Sequence, residues 1–261
     1  MSVSSPAVPA DYYRRIHEVE ERHWWHRGMR VISAALLGDR LRSAQRLLDA
    51  GCGTGGFLRW ALERGSFEAA VGVDVSPEAI EIARGQVPQA TLHTATIWDL
   101  PLEAATFDLV VANDVLQHLP EARVEQSLRE LRRVVRDDGV LLVRTNGARR
   151  FCREGQEWRA YDQETLASAL AEAGFRGERL THANLVGSLW ASGRGAAPRA
   201  PSQERHGIPP HPNAALGTMM YLLLRAEAGW LRLASLRVPY GHTLFAVAVP
   251  APRGEAEDKA A

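Results

Sequence analysis

The chain has 261 residues, 46% of them apolar, with 31 basic and 31 acidic side chains and a formal net charge of zero. That length fits one large domain or one domain with additions, and the balanced charge excludes the basic surplus of a nucleic-acid footprint. The two cysteines, Cys52 and Cys152, build no disulfide framework, the N-terminus lacks a secretory apolar segment, and no apolar run approaches the ~20 residues of a membrane span, so a cytoplasmic protein is expected.

Residues 1–10 read as a disordered tail and 11–41 as helical with a break near Gly28. A strand–helix alternation begins at Arg46. "RLLDA" (46–50) is a short apolar run ending in glycines, hence a buried strand, and "GFLRWALERG" is a helix stopped by Gly65. "AAVGVDV" (69–75) is the second strand. Ser76 as cap and Pro77 at the first helical position start the next helix. Strands follow at "ATLHTA", "FDLVVANDV" (107–115), "GVLLVRTN" (139–146) and "RGERLTHAN". Between them lie the helices "RVEQSLRELRRVV" and "DQETLASALAEAGF", the latter with Asp162 as cap and Gly174 as stop. Residues 191–213 are rich in Gly, Pro and Arg, which predicts a loop. A helix over about 214–236, a last strand over 242–250 and a disordered tail from 251 to 261 complete the chain. The alternation predicts an α/β architecture with a mostly parallel sheet, with 11–41 and 185–236 as additions over its ligand end.

The turn "LLDAGCGTGG" satisfies both G-x-G-x-x-G and G-x-G-x-G, so it fits a dinucleotide pyrophosphate or another nucleoside cofactor. Ligands of open α/β sheets lie at the strands' carboxyl ends, and the first strand ends at this turn. Asp74, ending the second strand, suits both cofactors because a carboxylate accepts both ribose hydroxyls. Asp49 separates them. A second carboxylate beside a pyrophosphate meets like charge, whereas an ammonium and a sulfonium favour it. S-adenosylmethionine carries both and has no phosphate.

The motifs that follow are more specific. "LLDAGCGTGGFL", "VGVDVSPEAIEIAR", "WDLPLEAATFDLVVANDVLQHL" and "LRELRRVVRDDGVLLV" stand in one order. That series resembles the class I S-adenosylmethionine-dependent methyltransferases of the small-molecule type, over residues 46–184. "EERHWWHRGMRVI" and the C-terminal half are similar to a bacterial subgroup with paired tryptophans and a following arginine. The resemblance implies a Rossmann-like, doubly wound, mostly parallel seven-stranded sheet with an antiparallel last strand. It also implies S-adenosyl-L-methionine as cofactor, 11–41 as a helical lid, 46–184 as the cofactor-binding core, and a small-molecule acceptor with no nucleic-acid partner.

Carried onto this sequence, the resemblance places Asp49, Gly51, Cys52, Gly53, Gly55, Asp74 and Val75 at the cofactor, with Asp49 either pinning the loop amides or serving the cofactor's ammonium. Thr96 stands where the family often has an acid for the adenine amino group, so Thr96 and the Ile97 amide are expected there; nearby Asp99 reads as a turn residue. Asn113, ending the fourth strand, faces the cofactor or the transfer site. His118 is the candidate general base, since an imidazole titrates near working pH; packing at a helix foot is its other reading. Arg27 is expected at the cofactor carboxylate. Trp24, with Trp25, forms a lid or simply packs. Asp114, Trp158 and Tyr161 are expected at the acceptor, with Arg159 beside them. Met219, Met220, Leu223 and Leu224 form a helical stripe that reads first as core. His23 and His26 do not make a metal site.

The expected function is methyl transfer to an oxygen or nitrogen of a small molecule, apolar or a natural-product intermediate. Three readings stand beside it. One keeps the cofactor but cyclises or rearranges its substrate. Another is a nicotinamide oxidoreductase, opposed by Asp49 and by the lack of a second dinucleotide-binding half. The last is a non-catalytic cofactor-binding module.

Overall fold

The computed structural model describes residues 11–147, 159–193, 213–233 and 237–252. Helices α1 (Tyr12–Glu20), α2 (Trp24–Leu37) and α3 (Arg40–Ser43) precede the first strand. The alternation then runs β1 (Arg46–Ala50), α4 (Gly56–Leu62), β2 (Ala69–Asp74), α5 (Pro77–Gln86), β3 (Thr91–Thr94) and β4 (Phe107–Asn113). It continues with α6 (Glu121–Val134), β5 (Val135–Asn146), α7 (Gln163–Glu172), β6 (Phe175–Ala183), α8 (Leu185–Gly193), α9 (Ala214–Arg232) and β7 (Thr243–Pro250).

The seven strands form one sheet in the order β3-β2-β1-β4-β5-β7-β6. β1 pairs in parallel with β2 on one side and β4 on the other, so the chain order reverses at β1. β7 alone runs against its neighbours β5 and β6. The expected sheet, with its antiparallel last strand, is therefore present.

Local chemistry starts the helices where the sequence places them. Ser76 Oγ accepts the Ala79 N–H at 3.3 Å and Asp162 Oδ1 accepts the Thr165 N–H at 2.7 Å, each relieving one unpaired amide of a first turn. β5 begins at Val135, earlier than the expected Gly139. Val135 already pairs with Phe107, and the exposed Asp137 and Asp138 are carried within the strand.

Gly28 is not a break. It lies inside α2, and the chain turns earlier, at 21–23, where His23 Nδ1 caps α2 by accepting the Trp25 N–H at 3.3 Å. One apolar core holds Leu48, Val110 and Leu141 with Leu128 and Leu131 of α6 and Leu166 of α7. The other holds Leu47, Leu109 and Leu142 with Leu58 of α4, Met29 and Ile32 of α2, and Leu224 and Leu231 of α9. Alternate residues of the strands thus serve opposite faces. α2 and α9 are structural parts of the second face.

Candidate active site

The turn after β1 is built by backbone geometry. Gly51 has φ +84°, and a Cβ there would lie 2.1 Å from Val115 Cγ2, so no other residue fits without displacement. The Gly51 and Cys52 N–H groups donate to Val73 O at 2.7 and 2.9 Å, fastening the turn to β2. Gly53, at φ +52°, donates its N–H to Asp74 Oδ2 at 2.9 Å, while the Ser76 N–H donates to Oδ1 at 2.9 Å. Asp74 thereby links the two turns at the carboxyl ends of β1 and β2. Burial raises its pKa against the opposing pull of those amides.

Beside this turn lies a cavity of about 130 Å³. The sheet end supplies Asp49, Asn113 and Arg144, the turn supplies Gly51–Thr54, and α4 supplies Gly56 and Phe57. The N-terminal helices supply Ile16, Glu20, His26 and Arg30.

Two of these side chains lack partners. Both oxygens of Asp49 and both polar atoms of the Asn113 amide are buried with no hydrogen bond. Such groups are rare in native structures, and a bound ligand or ordered water would satisfy them. Burial pushes the Asp49 carboxyl up to about 7, partly offset by Arg144 and reinforced by Asp74 and Glu20. Burial, with Arg144, His23 and Arg30 nearby, holds His26 down to about 3, so its imidazole is neutral.

The charged residues around the cavity are held in place. Arg144 Nε and Nη2 donate to Asp114 Oδ2 at 3.1 and 2.6 Å, and its guanidinium lies 5.1 Å from the Trp25 ring centroid. Arg30 pairs with Glu21 at 2.8 Å. Glu20 Oε1 accepts from Thr54 Oγ1 at 2.8 Å and from Gln86 Nε2 at 3.0 Å, pinning the end of α1 to the glycine turn and α5. At the start of α1, Tyr13 hydrogen-bonds Ser76 and lies close enough to Asp74 for that charge, with burial, to push its hydroxyl to about 12. Tyr12 is raised further by burial and by Tyr13, Asp114 and Asp74. The first helix thus lies close to the carboxylates of Asp74, which ends β2, and Asp114, just after β4.

The structure brings together Asp49, Gly51, Cys52, Gly53 and Asn113 in the cavity lining, with Asp74 holding the turn. Gly55 is the cap of α4, packed toward Ala83 and off that lining. Val75 follows Asp74 and is half exposed; Thr96 is half-buried after β3, and the Ile97 side chain belongs to the core. Asp114 borders the cavity as the partner of Arg144.

Other expected residues lie elsewhere in the structure. Arg27 stacks 4.1 Å from the Tyr221 ring centroid on α9, because its face of α2 turns toward that helix; Arg30, three residues on, reaches the cavity. His118 is exposed after a single helical turn and is not among the lining residues, whereas His26 is. Tyr161 is buried in the core with its hydroxyl on Leu116 O at 3.4 Å. Trp24 packs against the second core, and Trp25 meets Arg144. Trp158 and Cys152 lie outside the described residues. In the expected stripe on α9, Leu224 is core but Met219 is half exposed. Among the described residues no cluster of His, Cys, Asp and Glu fits a metal ion.

Glu20, Arg30 and Arg144 were absent from the sequence-based site. Arg144 had one signal, a lone charge inside the apolar run "LLVRTN" at a strand's carboxyl end.

Comparison with known proteins gives a consistent result. A family described as a methyltransferase domain matches residues 48–143. The malonyl-acyl-carrier-protein O-methyltransferase of Enterobacter lignolyticus is 34% identical over 181 residues, 65% of this chain and 66% of that protein. The dTDP-4-amino-2,3,4,6-tetradeoxy-D-glucose N,N-dimethyltransferase of Saccharopolyspora spinosa is 35% identical over 137 residues, 52% and 50% of the two chains. Among solved structures, a TehB-like S-adenosylmethionine-dependent methyltransferase from Corynebacterium glutamicum shares the fold. Its TM-score is 0.56 at 17% identity, covering 92% of this chain and 95% of that one. The chain spans about half to two thirds of the length of the curated relatives it matches.

Proposed function

We propose a function from one premise: the chain belongs to the class I S-adenosylmethionine-dependent methyltransferases, and S-adenosylmethionine is its cofactor. The proposed reaction is methyl transfer to an oxygen or nitrogen of a small molecule. The observation that carries it is the pair of partnerless buried groups, Asp49 and Asn113, beside the glycine turn.

The donor set fits the group. Asp49 offers an unpaired carboxylate to an ammonium or sulfonium, and Asn113 offers both a donor and an acceptor. Arg30 and Arg144, also in the lining, offer positive charge to a carboxylate. Asp74 faces the ribose position while holding the Gly53 and Ser76 amides. When bound, S-adenosylmethionine supplies a methyl group activated by its sulfonium.

The chain's contribution is placement. Fixed strand ends hold Asp49, Asn113 and Arg144, and a positioned attack recovers much of the barrier without a proton acceptor. α1 and α2 wall one part of the cavity through Ile16, Glu20, His26 and Arg30. Neutral His26 is the imidazole that reaches it. Relatives named for O-methylation and for N-methylation support either acceptor atom.

Titration calorimetry with S-adenosylmethionine and with NAD tests the cofactor. Binding of the first and not the second is expected, with Asn113→Ala weakening it by about 1–3 kcal/mol. Tight NAD binding, or unchanged affinity in the variant, overturns the site. Product mass then separates transfer, a gain of one methyl, from cyclisation or rearrangement.

A further inference from the structure

All the exposed large apolar residues of the described chain except Val75 lie on its C-terminal helices or just after them. On and just after α9, Met219, Leu222, Trp230 and Leu233 are each half exposed or more, and on α8 Val186 and Leu189 are similarly open. With the exposed Ala226, the α9 positions recur at intervals of three and four, a continuous stripe on one helical face. The opposite face, Leu224, Ala228 and Leu231, is core.

Charge on this outward arc has one sign. Arg225 and Arg232 are exposed on it. The single acid of α9, Glu227, turns aside to accept the Leu185 N–H at 3.2 Å, which also sets the start of α8 beside α9. α8 itself has no ionisable side chain.

We propose that the outward face of α9 docks on an anionic lipid bilayer as a peripheral surface. An apolar stripe with a tryptophan and flanking arginines, and no outward acid, is complementary to acyl chains beneath anionic headgroups. The helix lies in the interface; no described helix is long and apolar enough to cross a membrane. A second copy is the poorer occupant. Antiparallel pairing of the stripe about Ala226 brings Arg225 of each copy together, a like-charge contact. α9 packs on α2 through Leu224 at Gly28, so docking sets the bilayer behind the helix that carries His26 and Arg30 into the cavity.

Sedimentation of the full chain with vesicles tests the surface. Phosphatidylcholine vesicles containing phosphatidylglycerol should carry the protein down, and pure phosphatidylcholine or high salt should reduce this at least tenfold. The double variant Leu222→Glu, Trp230→Glu should lose vesicle binding at least tenfold while its unfolding midpoint and its S-adenosylmethionine affinity stay parental. Should that variant misfold, the pair Arg225→Ala, Arg232→Ala is read instead, with the same expected loss on anionic vesicles. Absence of vesicle binding, equal binding to neutral vesicles, or parent-like binding by the folded variant overturns the proposal. So does a solution dimer that the double variant splits, which gives the face to a second copy.

Discussion

Asp49 is 1% exposed and has no partner for either oxygen. Burial moves its carboxyl from the ordinary 3.8 to about 7. The folded pKa is the higher one, so the native state favours the protonated form. The stability tied to this group is complete below about pH 4 and is lost as pH rises through about 7. That shift corresponds to roughly 4 kcal/mol at most. Asp49→Asn keeps the shape and removes the charge. The ligand-free variant should therefore melt higher than the parent above pH 7, while its affinity for S-adenosylmethionine drops at least tenfold, about 1.4 kcal/mol. In the parent, affinity should climb between about pH 6 and 8 as the carboxylate forms. A pH-independent affinity, or a variant that binds as the parent does, removes Asp49 from the site. At this scale the sequence was readable where a residue ends a strand or shapes a turn. Asp49, Gly51, Gly53, Asp74 and Asn113 stand on local patterns. Glu20, Arg30 and Arg144 meet only because α1 and α2 fold back over the sheet, and nothing in local spacing encodes that return.

Strands and crossover helices carry their own punctuation, which is why Ser76, Pro77 and Asp162 mark their helices correctly. The N-terminal helices show how punctuation misleads. Gly28 has the look of a helix breaker, yet its lack of a side chain serves packing. A Cβ there would lie 2.1 Å from Leu224 Cδ1 and 2.9 Å from Leu224 Cβ. α2 and α9 cross at that point, with Arg27 stacked on Tyr221 beside it. Gly28→Ala should accordingly cost about 1–3 kcal/mol through overpacking, despite its better helix propensity. Gly229, on the outward side of α9, has nothing within 4 Å of a built Cβ, so Gly229→Ala should gain up to about 1 kcal/mol. Urea unfolding of the two variants measures both. Equal shifts of one sign would mean that propensity, not the helix crossing, governs Gly28.

Across the whole molecule, burial is unevenly shared. The sheet is packed on both faces, and α2 and α9 are rooted in its second core through Met29, Ile32, Leu224 and Leu231. α1 buries only Glu20 and is held mainly by polar contacts: Arg14 on Glu78, and Glu20 on Thr54 and Gln86. Elements with few buried apolar contacts open locally, at far less cost than global unfolding. The cavity beneath α1 holds about 130 Å³, whereas pockets for ligands of nucleoside size and above run to about 300–1,000 Å³. We therefore expect α1 to lift on entry of the cofactor while α2 and the sheet stay folded. Removing residues 1–21 isolates that step, because it spares α2; a cut at residue 30 would take Met29 from the core. The truncated protein should keep its cooperative unfolding and release S-adenosylmethionine at least ten times faster. In the full chain, hydrogen exchange should show α1 amides opening well before those of β1 and β4, and cofactor should slow α1 selectively. An α1 that exchanges together with the sheet, or a folded truncation with the parent's release rate, makes the first helix a fixed part of the molecule and not its lid.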